Sequence, residues 1–293
     1  MRRLRVLVLM HKDLVPPDQL NGQDLEGAAW KTEYDVVSTL RKLGHDVQPL
    51  GVKSDLEVIR AAVEDWKPHI AFNLLEEFDG RAVYDQNVVS YLELMRIPYT
   101  GCNPRGLMLA RDKALAKQVM SYHRIPYPEF MVVPLHRMVR RPKYLPFPLI
   151  VKSISEEASL GISQASIVDD DEKLRERVAF IHDNVGTGAL IERYIEGREL
   201  YVGVMGNAHL QVFPVWELVM DKMPDEARRI ATERVKWSRK YQDKYGICSC
   251  EARNLPDGVV DHIQHLAKRV YRAWGLSGYA RIDTRMDKDG DVY

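Results

Sequence analysis

The strongest constraint on the fold is an alternation of two hydrophobic periods over the first hundred residues. Short β-branched runs at Leu4–Met10, Val47–Leu50, His69–Asn73 and Ile97–Thr100 alternate with helix-period segments near Thr32–Leu43, Asp55–Trp66 and Asp85–Leu94. Strands separated by helices read as βαβ units that share a parallel sheet. Gly44 closes the first helix, at a position where the left-handed conformation costs glycine little. Such sheets place ligands outside the carboxyl ends of their strands. Two polar loops there are therefore candidate sites: His11–Lys31, and Leu74–Tyr84 with Glu76, Glu77 and Asp79. The acids suit a substrate amine or plain solvation.

Beyond about residue 103 the pattern changes. Asn103-Pro104 supplies an N-cap and a first-turn proline for a helix expected over Arg105–Tyr122, which carries Lys113 and Lys117. The proline-rich, basic segment Arg137–Pro148 reads as a linker. Pro146–Ser163, PFPLIVKSISEEASLGIS, then gives a buried strand over Pro148–Val151 that ends at Lys152. A loop of small polar residues, Ser153–Gly161, and a second strand, Ile162–Val168, follow. A lysine at a strand end beside such a loop suits a polyphosphate, the lysine bringing a point charge and the loop its backbone N–H groups. A hairpin with a snorkelling lysine is the plainer reading, and the G-x-x-x-x-G-K-[ST] pattern of a Walker A loop is absent. A helix over Glu172–Asn184 and a strand over Ala189–Tyr194 complete this lobe. Strands Arg198–Met205 and His209–Val215 are expected to join through a two-residue turn at Gly206-Asn207. Pro214–Cys250 reads as irregular and heavily charged. Pro256-Asp257 is expected to cap an amphipathic helix running to Trp274, and strand Tyr279–Thr284 follows, with a turn at Asp287–Gly290.

The formal net charge is zero, which leaves no basic footprint for nucleic acid or an anionic membrane. No apolar run approaches the roughly 20 residues of a membrane span, and Val6–Met10 is too short for the core of a signal peptide. Neither nucleic acid nor membrane is an expected partner. Cys102, Cys248 and Cys250 form an odd set without framework spacing, as in a reducing compartment such as the cytoplasm. Cys248-Ser-Cys250 has no second pair at zinc-ligand spacing and reads as two buried structural thiols.

Four segments, in order, resemble the ATP-grasp superfamily and within it the D-alanine–D-alanine ligase-like enzymes. Arg96–Met120 resembles the G-I-P-Y-x-G … D-K-x-x-x-K segment, with Lys113 at the first nucleotide-binding lysine. Pro146–Ser163 is similar to the second-lysine strand and phosphate-covering loop, with Lys152 at the lysine and Glu157 and Ser159 in the loop. ALIERYIEGRELYV resembles the hinge, where Glu192 and the backbone of Arg193, Tyr194 and Ile195 would meet adenine and Glu199 the ribose hydroxyls. GYARIDTRMDKDGDVY resembles the strand pair that carries a catalytic arginine, Arg281, and a metal carboxylate, Asp283. Lys236 matches, more loosely, a lysine in a loop over the phosphates.

The resemblance implies an α/β protein with a small parallel-sheet N-terminal domain (1–103), then an ATP-grasp fold of two α+β lobes. These would be a central helix and first lobe (104–190) and a second lobe (191–293), incomplete at its C-terminus because the family's E-x-N metal motif would follow Tyr293. It further implies ATP and Mg2+, a homodimer through the first domain, and ligation of a carboxylate to an amine through an acyl phosphate. The departures fall on the substrate side. The Gly-Gly loop with its substrate-gripping acid is replaced by a longer segment in which Glu33 is the nearest acid, and the His-Gly pair is replaced by Asn73–Gly80 with Glu76. The expected substrate is therefore an amino acid or small peptide other than D-alanine. A small-molecule kinase and a non-catalytic nucleotide-binding scaffold are the alternatives.

Overall fold

Five consecutive buried residues, Val6 to Met10, make β1 (Arg5–His11) the centre of a three-stranded parallel sheet. In the computed structural model, which describes residues 2–18, 24, 25, 27–155, 161–224 and 226–293, the chain forms two compact units, Met1–Met108 and Leu109–Tyr293. In the first unit β1 is followed by α1 (Lys31–Lys42), β2 (Asp46–Val52), α2 (Glu57–Trp66), β3 (Ile70–Asn73) and α3 (Asp85–Leu94). The sheet order is β2-β1-β3. Leu7 and Leu9 pack with Ile59 of α2 and with Val88 and Leu92 of α3, whereas Val6, Val8 and Met10 pack with Val37 of α1. Cover on both faces is what an unbroken apolar strand requires. The strand expected at Ile97–Thr100 is reduced to a single bridge: Ala71 N–H donates to Pro98 O and Thr100 N–H to Ala71 O. Pro98 has no N–H with which to extend that ladder.

The helix expected over Arg105–Tyr122 is two helices, α4 (Pro104–Arg111) and α5 (Lys113–Tyr122). Asp112 breaks it. With extended backbone (φ −100°, ψ 90°), its carboxylate accepts from the N–H groups of Ala114 and Leu115 at 3.1 and 2.9 Å. This is an N-cap inside what reads as one periodic run.

The second unit holds two antiparallel sheets. The first, in order β4-β7-β5-β6, comprises β4 (Phe130–Val133), β5 (Leu149–Ser153), β6 (Ile167–Val168) and β7 (Ala189–Arg193). Leu174 and Val178 of α6 (Asp171–Phe180) cover one of its faces. The strand expected at Ile162–Val168 keeps only its last two residues, because Ser163 and Ser166 cap a short 3-10 turn at Gln164–Ser166. Arg177 of α6 fastens that turn, donating to Ser166 Oγ at 2.8 Å and to Gly161 O. The helix expected to reach Asn184 ends at Phe180 in a wide turn over Ile181–Val185.

The second sheet has the order β10-β9-β8-β11. Its strands are β8 (Gly197–Met205), β9 (Gln211–Met220), β10 (Ile247–Glu251) and β11 (Tyr279–Asp287). β8 and β9 are joined by residues 206–210, not by a two-residue turn. Gly206 (φ +130°) starts the connection, where a Cβ would collide with His209 O. Much of Pro214–Cys250 is regular: β9 runs on to Met220, and α7 (Glu233–Trp237), α8 (Arg239–Tyr245) and β10 follow. Met220, Met223, Val235 and Ile247 form a core there beneath the charged surface. α9 (Val259–Ala273) begins after Gly258 (φ +77°), not under an Asp257 cap, and buries Ile263, Leu266, Ala267, Val270 and Tyr271. On β10, Cys248 is exposed and Cys250 half-buried, so neither is the buried thiol expected. No helix among the described residues is long and apolar enough to cross a membrane.

Gly197 opens β8 at φ +152°, with Met286 O in the place a Cβ would take. Gly197→Ala must therefore displace β11 or its own backbone. We expect a loss of about 2 kcal/mol in urea unfolding, the scale of a strained backbone position; an unchanged midpoint would show that the strand pair yields freely.

Candidate functional site

Glu192 on β7 is the most buried acid among the described residues of the second unit, at 5% exposure. It stands across the ladder from Phe130 on β4 and Ile150 on β5. Lys152, three residues into β5, reaches one carboxylate oxygen, and Lys117, one turn into α5, reaches the other at 2.9 Å. Burial alone would push this carboxyl up. The two ammonium groups together outweigh it and hold Glu192 down at about 2. Lys117 also lies 5.8 Å from the ring centroids of Tyr127 and Phe130, which confine it from the side. Lys113, the lysine assigned from the motif, is half-buried at the first position of α5, its N–H 3.5 Å from Ile154 O just past β5. Lys117 is the last lysine of the D-K-x-x-x-K segment but was given no role from it; that position, four residues from Lys113 and near the same face of a helix, was the available signal.

β8 and β11 carry a second cluster. Register sets Arg281, Asp283 and Arg285 opposite Gly203, Tyr201 and Glu199. Arg281 grips Asp283 with both arms, Nε to Oδ1 at 2.7 Å and Nη2 to Oδ2 at 3.0 Å, and lies 4.6 Å from the Tyr201 ring centroid. Glu199 accepts from Tyr201 Oη at 2.8 Å and pairs with Arg285 at 3.2 Å. Arg285 is a site residue that the motif comparison missed; its even spacing from Arg281 and Asp283 along one strand was the available signal. Tyr194 and Glu199 line a cavity of about 810 Å³ together with Gly197, Leu218, Ala227 and Arg229.

The hinge between the sheets is fixed by its backbone. Arg193 N–H donates to Glu129 O at 2.9 Å and Tyr194 N–H to Pro148 O at 3.0 Å, while Tyr194 and Ile195 are buried. The Arg193 side chain turns to Glu129 and the Tyr293 ring. Lys236 is half-buried on α7, and no ion pair among the described residues joins it to the carboxylates of either cluster. Glu157 and Ser159 lie outside the described residues.

In the first unit, Glu33 sits in the first turn of α1 at 6% exposure, and its Oε2 has no hydrogen-bond partner. Burial first, and then the charge of Glu76, push the Glu33 carboxyl up. At the end of β1, His11 Nε2 lies 3.1 Å from Glu77 Oε1. The expected acids Glu33 and Glu76 thus act on one another at the carboxyl end of the parallel sheet, in a place suited to a cation.

A family model described as the D-ala D-ala ligase C-terminus matches residues 119–293. A D-alanine–D-alanine ligase of Desulforudis audaxviator is 30% identical over 254 residues, covering 85% of this chain and 76% of its own. In fold, the chain is similar to the D-alanine–D-alanine ligase of Bacillus anthracis solved with ATP, at TM-score 0.70 and 20% identity, covering 99% of this chain and 84% of that one. It is also similar to the VanG D-Ala:D-Ser ligase of Enterococcus faecalis, at TM-score 0.65 and 19% identity over 99% and 88% of the two chains. A small parallel sheet followed by two antiparallel sheets is the arrangement of these ATP-grasp structures, and with the family match it places the chain in the D-alanine–D-alanine ligase family.

Proposed function

We propose that the chain is an ATP-dependent ligase that activates a small carboxylate as an acyl phosphate and joins it to an amine, with a first substrate other than D-alanine. The observation that carries this reading is Glu192 held by Lys117 and Lys152, a buried acceptor with two ammonium groups beside it. An adenine amino group needs such an acceptor, and a triphosphate of about four negative charges needs such cations. Lys113, Lys152 and Lys236 would bind the phosphates, with Glu157 and Ser159 in the covering loop. Glu192 and the backbone of Arg193, Tyr194 and Ile195 would bind the base, and Glu199 the ribose.

Among the described residues no three His, Cys, Asp or Glu side chains converge as a metal cage. That suits Mg2+, which is commonly held by one or two carboxylates and the substrate's own phosphates. Asp283 would be its carboxylate, released from Arg281, and the ion would supply charge neutralisation at the phosphates. Phosphoryl transfer asks the protein mainly for position and electrostatics. Arg281 would hold the developing oxyanion of amide formation with its fixed fork of donors.

The substrate ammonium would sit at Glu33 and Glu76. The departure of this region from the family pattern supports a first substrate other than D-alanine, an amino acid or small peptide. The deciding experiment is phosphate release from ATP across a panel of amino acids and dipeptides, with and without hydroxylamine. A ligase yields a hydroxamate from the acyl phosphate; phosphate transfer to a hydroxyl with no hydroxamate would replace this reading with a kinase. D-alanine proving the best first substrate would remove the specificity half of the proposal.

Glu33→Gln separates binding from stability. A raised carboxyl means the folded state holds a proton that the unfolded state releases, so its contribution to stability falls as pH rises through the folded value. Removing the charge while keeping the shape should raise the melting temperature at pH 7 and raise KM for the amine-bearing substrate by about tenfold or more, the worth of a charge-assisted hydrogen bond. A lower melting temperature with unchanged KM would assign Glu33 to the scaffold.

A further inference from the structure

Arg285 is held more tightly than an interstrand ion pair needs. Its Nη1 donates to Glu199 Oε2 at 3.2 Å, and its Nη2 donates to Gly197 O at 2.9 Å and to Arg229 O at 3.0 Å. The guanidinium lies 5.3 Å from the Tyr194 ring centroid, and the Arg285 and Glu199 side chains are only 19% and 16% exposed. The guanidinium is thus oriented by two carbonyls and a ring before it meets Glu199. Tyr201 completes the frame from the other side, donating to Glu199 Oε1 at 2.8 Å.

A carboxylate offers about four acceptor positions. One on each oxygen of Glu199 is taken, by Tyr201 and by Arg285, and one on each is left on a group that lines the 810 Å³ cavity. Two hydroxyls on adjacent ring carbons match that pair. We infer that Arg285 is a positioning residue that fixes the orientation of Glu199 as an acceptor for a vicinal diol, and so sets a preference for ribonucleotides. The inference rests on the reading that Glu199 meets the ribose of ATP.

Calorimetric binding of ATP and of 2′,3′-dideoxy-ATP tests it without requiring turnover, on the wild type, Arg285→Met and Glu199→Gln, with thermal unfolding as the check that each is folded. The wild type should prefer ATP by about tenfold or more, and Arg285→Met should cut that preference to about threefold or less, mostly by weakening ATP. A merely structural arginine would shift the melting temperature and leave the ratio alone. A full preference in Arg285→Met that is lost in Glu199→Gln would overturn the role of Arg285 and keep that of Glu199. A preference kept in both would remove the reading of Glu199 itself. If Arg285→Met does not fold, Arg285→Lys decides: its ammonium can pair with Glu199 but cannot also serve two carbonyls in a fixed plane. An intermediate ratio in that variant supports the inference, and an undiminished one overturns it.

Discussion

Glu192→Ala is expected to destabilise the second unit by about 3–5 kcal/mol at pH 7, the cost of removing one member of a buried ion pair. Lys117 and Lys152 would be left facing one another, with side chains only 14% and 27% exposed, without the carboxylate that neutralises them. The pH dependence gives a second reading of the same group. Its carboxyl is held at about 2 against an ordinary 4.5, so the stabilisation is fully present above pH 4.5 and is lost as pH falls from there towards 2. Urea unfolding of the wild type and the variant should therefore converge across that window by roughly 3 kcal/mol, since each tenfold gain in acidity on folding is worth about 1.4 kcal/mol. A difference constant from pH 6 to pH 3 would show that the two lysines do not hold the ionised form. Lys152→Met is the control for charge, since it keeps the stem and leaves Lys117 as the single counter-ion.

Arg281→Ala should lower kcat by about 10²- to 10³-fold, the loss that follows removal of an oxyanion donor. Nucleotide affinity should stay nearly as it was. Arg281 and Asp283 sit two residues apart on one face of β11, at 60% and 50% side-chain exposure, closed on each other in a two-bond fork. Each is therefore available to a ligand at the cost of an exposed ion pair, an interaction of little net worth. Arg281 stands opposite Gly203 in the ladder, and its guanidinium lies over the Tyr201 ring. Arg281→Lys keeps the charge and loses the fork, and should recover only a small part of the rate. Turnover at the wild-type level in either variant would mean that the arginine serves Asp283 alone.

The sequence made the parallel sheet legible because β1 is apolar at every inward position, whereas the members of the two clusters that it offered, Lys152, Glu192, Glu199, Arg281 and Asp283, came from the resemblance to the family's motifs. Three features escaped for definable reasons. The break at Asp112 is a side-chain bond to the backbone inside an otherwise helical period, and periodicity does not register a cap of that kind. Pro214–Cys250 has enough charge to mask the alternation of β9 and β10, whose apolar positions lie in a small core of Met220, Met223, Val235 and Ile247. The strand expected at Ile162–Val168 lost its first half to the Ser163–Ser166 cap, a contest between local side-chain bonding and a ladder. For the site, a motif match picks out residues without saying what each one touches, as with Lys117, the last lysine of D-K-x-x-x-K, and it passes over Arg285 altogether. Arg285 gained meaning only when register set it opposite Glu199, and Lys117 when it was found bonded to Glu192.

The placing of acid and base in the Glu192 cluster is not symmetrical. The acid projects from β7, an interior strand bonded to β4 on one side and β5 on the other, so its backbone has no latitude. The cations are the far ends of four-carbon stems, each able to swing through several ångströms about rotatable bonds. An ammonium could turn from the acid to an arriving anion by side-chain rotation alone, the anion replacing the lost ion pair and every backbone hydrogen bond of the sheet staying intact. Glu192 gives each ammonium an oxygen of its own, so the loss of one cation would leave the other still bonded.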